Sequence, residues 1–184
     1  MIKAIITDFD GTLIDTKKAN ALAYVDAFNS VGVEITEEQY NECFGLRFDD
    51  LCKKLGVTDK KLMKKIKAAK QDFYPTHFDE TKLNATLIPI LSWYRDKGII
   101  ICVASTASPE NIGALIDYYE LEDAFDGIIC GEDVKHGKPQ PDIYLATLEA
   151  CNCEPDEVVV FEDSDVGIEA AQAAGITNII KVKI

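Results

Sequence analysis

Apolar residues recur in two rhythms along the chain, and the changes of rhythm divide it in three. The opening run "IKAIIT" is short, apolar and β-branched, which predicts a strand. From Lys17 the spacing becomes helical, with Leu22, Val25 and Phe28 flanked by Ala21 and Tyr24. Thr36 followed by acidic residues predicts a second helix start, and "FDDLCKKL" a third helix. "TDKKLMKKIKAAKQDF" predicts a fourth, with Leu62, Ile66, Ala69 and Phe73 on one face. The lysines between Lys60 and Lys70 surround that stripe and read as a solvated face. Residues 16 to 82 thus form an all-helical insert, with "YPTHFDETK" as its closing linker.

Beyond the insert, strand and helix alternate. A helix around Ile90–Lys97 stops at Gly98, the strand "IIICVA" follows, and "PENIGALIDYY" is helical. "DGIICG" and "VVVFED" read as strands on either side of the helix "PDIYLATLEAC". "VGIEAAQAAG" is a helix ended by Gly175, and "NIIKVKI" a last strand. Such alternation predicts an α/β fold: a Rossmann-like parallel sheet formed by residues 1–15 and 83–184, with a small helical domain at 16–82 inserted after the first strand.

In open parallel sheets, ligands bind beyond the carboxyl ends of the strands. Four strands here end in polar residues at that edge. The first ends in Asp8 and Asp10, the second in Ser105 and Thr106, and "VVVF" in Glu162 and Asp163; "GIIC" leads to Lys135 and Lys138. Carboxylates gathered in this way repel one another unless a cation joins them. Magnesium takes such hard oxygen ligands, together with substrate oxygens and water. Lys138 would add a second positive charge, worth about 4 kcal/mol at ~4 Å and an effective dielectric near 20 before desolvation. The patch therefore suits a divalent cation and a phosphate.

Charge sharpens this picture. The net charge is −13 over 184 residues. Residues 16–82 hold twelve basic and eleven acidic side chains, and the remainder seven and twenty-one, so the balances are +1 and −14. An acidic core argues against nucleic acid, whose binding rests on basic neutralisation of phosphates. Apolar runs are too short to span a bilayer, and no basic-apolar signal opens the chain, so no membrane partner and a cytoplasmic location are expected. The six cysteines fit a reducing compartment: Cys102 and Cys130 lie in strand-like runs, and Cys151-Asn152-Cys153 alone makes no zinc site. Asp15 reads as a helix cap, His77 and His136 as loop residues, and Trp93 as a packing residue. The sequence says nothing about oligomeric state.

"DFDGTLID", "VAST", "GKPQPDIY" and "VVVFEDSDVGIEAA" resemble, in order and spacing, the four motifs of the haloacid dehalogenase superfamily. D-x-D-G-T-L alone arises by chance in on the order of one such chain in several thousand. The helical insert resembles the small cap of that superfamily's phosphoglycolate phosphatase and β-phosphoglucomutase-like group. The resemblance implies a magnesium-dependent phosphatase acting on a small phosphorylated metabolite, such as a sugar phosphate or phosphoglycolate. Asp8 would be the nucleophile that forms an aspartyl phosphate, and Asp10 the general acid and base. Asp8, the Asp10 carbonyl and Asp163 would hold magnesium, with Glu162 beside them or bound through water. Ser105, the Thr106 backbone and Lys138 would hold the phosphoryl oxygens.

Asp10 counts against dehalogenation, because dehalogenases of the superfamily lack an acid at that position. A β-phosphoglucomutase-like phosphotransferase is the nearest rival, and a non-catalytic phosphate-binding scaffold is an answer of another class. The resembled mutases carry a histidine where Asn20 stands here, whereas Arg47 lies where they hold a distal phosphate. Specificity is accordingly expected around Asn20, Arg47 and the loop "CFGLRFDD". Members of the family continue past the fourth motif by another strand and helix, so "NIIKVKI" is expected as an edge strand.

Overall fold

The computed structural model describes residues 1–44 and 46–184. Ala4–Thr7 (β1) is buried at every position, as a central strand covered on both faces requires. A tight turn follows, and Ile14–Asp15 (β2) leaves the sheet.

Thr16–Thr81 then forms a helical unit of its own. Lys17–Ser30 (α1) buries Ala19, Ala21, Ala23, Ala27 and Phe28, while Leu22 and Val25 are only half-buried. Small residues allow close approach, and within the unit α1 packs on Lys60–Phe73 (labelled α4 below) and on the 3₁₀ turn Tyr74–Glu80. Glu37–Asn41 (α2) starts in a capping box: the Gln39 N–H donates to Thr36 Oγ1 at 3.3 Å, and the Thr36 N–H to Gln39 Oε1 at 2.9 Å. Phe48–Lys54 (α3) follows. The fourth helix, Lys60–Phe73 (α4), begins where Asp59 Oδ1 accepts the Leu62 N–H at 2.8 Å. Phe28, Tyr40, Leu51, Cys52 and Ile66 lie in the unit's core.

Three expectations fail in or beside this unit, each for a packing reason. "YPTHFDETK" is no linker: Tyr74 and Phe78 are buried edge-to-face at 5.0 Å, and the chain leaves the unit only after Thr81. Lys70 is not solvated, because its ammonium lies 3.5 Å from the Tyr74 ring centroid and 5.5 Å from that of Tyr24. Asp15 does not cap α1. Thr16 stands at the N-cap, and Asp15 faces Lys82 in the pairing of β2 with Lys82–Leu83 (β3).

The rest of the chain alternates as expected: Leu87–Arg95 (α5), Ile100–Ala104 (β4), Pro109–Tyr118 (α6), Gly127–Ile129 (β5), Asp142–Ala150 (α7), Val158–Glu162 (β6), Asp165–Ala173 (α8) and Ile179–Lys181 (β7). These elements and Met1–Asp15 form one α/β unit. Its sheet runs β5-β4-β1-β6-β7, parallel throughout, with β7 at an edge. Strand order reverses at β1, which pairs with β4 on one side and β6 on the other. That reversal opens a crevice at the carboxyl end of β1. Beneath it, Ala4, Ile6, Val158 and Val160 pack with Ile143, Tyr144, Ala170 and Ala171 of α7 and α8. Trp93 is exposed, because α5 buries Leu87 and Leu91 and position 93 falls off that face.

All six cysteines are free, and burial pushes the Cys102 and Cys130 thiols up to about 11, where they behave as apolar groups. Among the described residues, no helix is long and apolar enough to cross a membrane. Ile66 is fully buried in the helical core, so Ile66→Ala should cost about 2–5 kcal/mol in urea denaturation through the cavity it leaves. Unchanged stability would show that this helix contact does not hold the unit.

Candidate active site

Three strand ends deliver the site. The sheet ladder continues one residue beyond β1, where the Asp8 N–H donates to the Phe161 carbonyl at 2.9 Å. This fixes Asp8 beside the end of β6, with its side chain 9% exposed. The chain then turns sharply. Gly11 sits at φ 90°, and a Cβ there would stand 2.5 Å from Asp163 Oδ2, so both conformation and space require glycine. The turn also brings Thr12 Oγ1 to donate to Asp163 Oδ1 at 3.3 Å.

Lys138 reaches in from the loop after β5. Its Nζ donates to Asp8 Oδ1 and to Glu162 Oε2, each at 2.6 Å, and its side chain is 7% exposed. Glu162, at the end of β6, accepts four hydrogen bonds. Lys138 and Tyr144 Oη (2.6 Å) share Oε2; the Ser164 N–H (3.2 Å) and Oγ (2.8 Å) share Oε1. A Cβ on Gly167 would overlap that carboxylate, so α8 comes this close only through glycine. On the other side, Ser105 Oγ donates to Asp10 Oδ2 at 3.4 Å and accepts the Ala107 N–H at 3.1 Å. Thr106 is exposed next to it.

Burial dominates the electrostatics. It pushes the Asp8 carboxyl up to about 8, with Lys138 pulling down and Glu162 and Asp10 adding to the rise. Burial likewise raises Asp163, helped by the Glu162 charge. Glu162 goes the other way: burial works to raise it, but the Lys138 ammonium and the hydrogen bonds from Lys138, Tyr144 and Ser164 hold it below the usual carboxylate range. Asp8, Glu162 and Asp163 each offer an oxygen within 4.8 Å of the others. All are hard oxygen donors, and two are held against ionisation, so the cluster fits a divalent cation of the magnesium class.

Of the residues expected from sequence, Asp8, Asp10, Ser105, Lys138, Glu162 and Asp163 stand in this linked set, with Thr106 at its rim. Asn20 and Arg47 belong to the helical unit. Asn20 Nδ2 donates to the Thr16 carbonyl at 3.2 Å and to Tyr74 Oη at 3.3 Å, and Arg47 is an exposed residue at the start of α3. Gly45, in the loop "CFGLRFDD", lies outside the described residues. Thr12, Tyr144, Ser164 and Gly167 were not expected. All four lie inside the motifs quoted above, but only the tertiary contacts give them a part.

A doubly wound sheet bearing a buried lysine among carboxylates at its switch point defines an enzyme class built around an acidic centre. The chain belongs to the haloacid dehalogenase-like hydrolase family, whose pattern matches residues 5–181. It is 32% identical to the phosphorylated carbohydrates phosphatase of Thermotoga maritima, over 98% of this chain and 85% of that protein. The phosphoglycolate phosphatase of Aquifex aeolicus is 29% identical over 95% of this chain and 82% of its own length. CbbY of Rhodobacter sphaeroides, solved with phosphate and, as a mutant, with xylulose-(1,5)bisphosphate, superposes with a TM-score of 0.86 at 26% identity. That match covers 99% of this chain and 87% of CbbY.

The raised Asp8 has a direct consequence for stability. Between the unfolded value near 3.8 and the folded value of about 8, the native state holds a proton the unfolded chain has lost. Without metal, stability should therefore fall as pH rises through that window, by at most ~1.4 kcal/mol per pH unit from this group. Asp8→Asn should remove that slope, so its stability relative to the parent should rise from pH 5 to pH 8 in thermal melts. A pH-independent difference would contradict the assignment.

Proposed function

We propose that the protein is a magnesium-dependent phosphatase of small phosphomonoesters, of the sugar phosphate or phosphoglycolate type, acting through an aspartyl phosphate on Asp8. The observation that carries this reading is the Asp8 carboxylate itself, buried at the end of the central strand with one oxygen on Lys138. The relatives support the substrate class, since their names include phosphatases of phosphorylated carbohydrates and of phosphoglycolate.

In the proposed reaction an Asp8 oxygen attacks phosphorus in line, and the bond from phosphorus to the ester oxygen breaks. Asp10, protonated, gives its proton to the departing oxygen. Its carboxylate then takes a proton from water, and the hydroxide attacks phosphorus. The bond to Asp8 breaks, returning the carboxylate and freeing phosphate. Lys138, Ser105 and the Thr106 backbone bind the phosphoryl oxygens as charge builds on them. The Ser105–Asp10 contact orients the acid. Asp8, Asp163 and the Asp10 carbonyl would hold magnesium, with Glu162 beside it; when bound, the ion offsets the repulsion among carboxylates and phosphate. Six free thiols, five of them buried, fit a cytoplasmic setting.

Transfer to a second sugar phosphate is the rival. Asn20 favours water as the acceptor, because its amide is committed to Thr16 and Tyr74 and carries no group that titrates near neutral pH. With β-glucose 1-phosphate and a trace of the 1,6-bisphosphate, free phosphate should form. Glucose 6-phosphate forming much faster would establish the mutase instead.

Two measurements test the chemistry. Magnesium should support phosphate release from a panel of phosphomonoesters, with EDTA abolishing it and calcium restoring it poorly, since calcium takes more ligands at longer distances. Activity that survives EDTA would remove the metal from the reading. Asp10→Asn should slow alkyl phosphates by about 10²–10⁴-fold, the scale of general acid–base catalysis, and p-nitrophenyl phosphate less in its first step. Equal losses for both substrates would rule out the acid role.

A further inference from the structure

Lys138 has three protons, and two of them are committed. One goes to Asp8 Oδ1 and one to Glu162 Oε2, each at 2.6 Å. On the proposed reading the third meets a phosphoryl oxygen, so the direction of this ammonium decides whether phosphate is gripped. Two buried carboxylates compete for it. What sets the balance is the second donor on Glu162 Oε2.

That donor is Tyr144 Oη, at 2.6 Å. Tyr144 is fully buried on α7, and its ring centroid stands 5.2 Å from Lys138 Nζ. A phenol is un-ionised at working pH, and here its hydroxyl faces a carboxylate oxygen, so it stands as a donor. Ser164 meanwhile fixes the other oxygen of the same carboxylate through its N–H and hydroxyl, while its Oγ accepts the Gly167 N–H at 3.1 Å. Glu162 is therefore held at both oxygens by groups from α7 and from the start of α8. Take away the phenol hydroxyl and Oε2 has one donor left, Lys138. A buried carboxylate with a vacated lone pair draws harder on the remaining cation, since nothing else there can satisfy it.

We infer that Tyr144 is a positioning residue: its hydroxyl shares Glu162 Oε2 with Lys138 and so keeps the ammonium turned toward Asp8 and the phosphoryl group. The inference rests on the phosphatase reading for its kinetic consequence, but not for its binding consequence. Tyr144→Phe is the clean test, because it keeps the ring beside Lys138 and the packing on the sheet while removing only the donor.

With magnesium present, Tyr144→Phe should lower kcat and weaken inorganic phosphate binding, measured by calorimetry on the folded fraction. Each loss should be about tenfold, the scale of one charge-assisted hydrogen bond. In a Glu162→Gln background the same change should cost less than about twofold, because a group acting through Glu162 loses its route once that charge is gone. A role confined to packing would lower the melting temperature and leave both constants of the folded fraction alone.

Parental kcat and phosphate affinity in folded Tyr144→Phe would overturn the inference. So would equal losses in the two backgrounds, or a Phe variant that does not fold, which would assign the hydroxyl to the core. If the parent binds phosphate but hydrolyses no phosphomonoester, the phosphatase reading fails and the binding arm still decides the role of Tyr144. If it binds no phosphate, both fail together.

Discussion

A lysine ammonium held between two buried carboxylates is the contact on which this site depends. Asp8 and Glu162 end adjacent strands of a parallel sheet, and both are almost wholly buried. Neither could stay ionised there alone, because desolvation disfavours a lone buried charge by several kcal/mol. Lys138 contacts both at 2.6 Å, at the expense of its own desolvation, and offsets the cost fully for Glu162 but only in part for Asp8. The two acids are not treated alike. Glu162, with four hydrogen bonds, is held ionised, whereas Asp8 rises to about 8. The protein thus keeps one carboxylate as permanent scaffold and leaves the other short of positive charge. That shortage leaves Asp8, like Asp163, open to stabilisation by an arriving cation.

The topology explains why these groups meet at all. Asp8 and Glu162 lie far apart in sequence, and Lys138 comes from a third segment. Parallel pairing of β1 with both β4 and β6 brings the segment ends together, and strand reversal at β1 prevents a crossover helix from covering them. Glycines then set the approach. Gly11 lets the turn pass over Asp163, and Gly167 lets α8 close on Glu162. Apolar burial fixes the strands, and the two missing Cβ atoms leave room for the Asp163 and Glu162 carboxylates.

Much of this was legible in the sequence, and the physical reason is periodicity. The positions of strands and helices along the chain follow from apolar spacing, and the acidic strand ends from simple adjacency; the order of strands in the sheet does not. What periodicity does not carry is which partner a polar atom finds. Tyr144 sat inside a recognised motif as an apolar-looking helix residue, and only the fold brings its hydroxyl to Glu162. Lys70 failed for a related reason: a lysine's stem is apolar, and two aromatic rings can take its head, so charge alone misjudged its burial. Tyr74 and Phe78 failed because their polar, Pro-containing segment reads as a linker, yet two aromatics four residues apart anchor it as 3₁₀ structure.

The remaining tension is that a chain of net charge −13 should bind a phosphate dianion. Distance resolves it. At physiological salt, exposed charges more than about 8 Å away are largely screened, so most of the surface acid contributes little at the crevice. Buried and half-buried charges are screened far less, and within the site the count is small: Asp8, Asp10, Glu162 and Asp163 against Lys138. A divalent cation together with protonation of Asp8 brings that count to neutral. A dianion entering without the cation would meet uncompensated acid, which couples phosphate to the cation through elementary electrostatics. With the surface acid screened, the grip on a small phosphorylated ligand is left to a few buried groups.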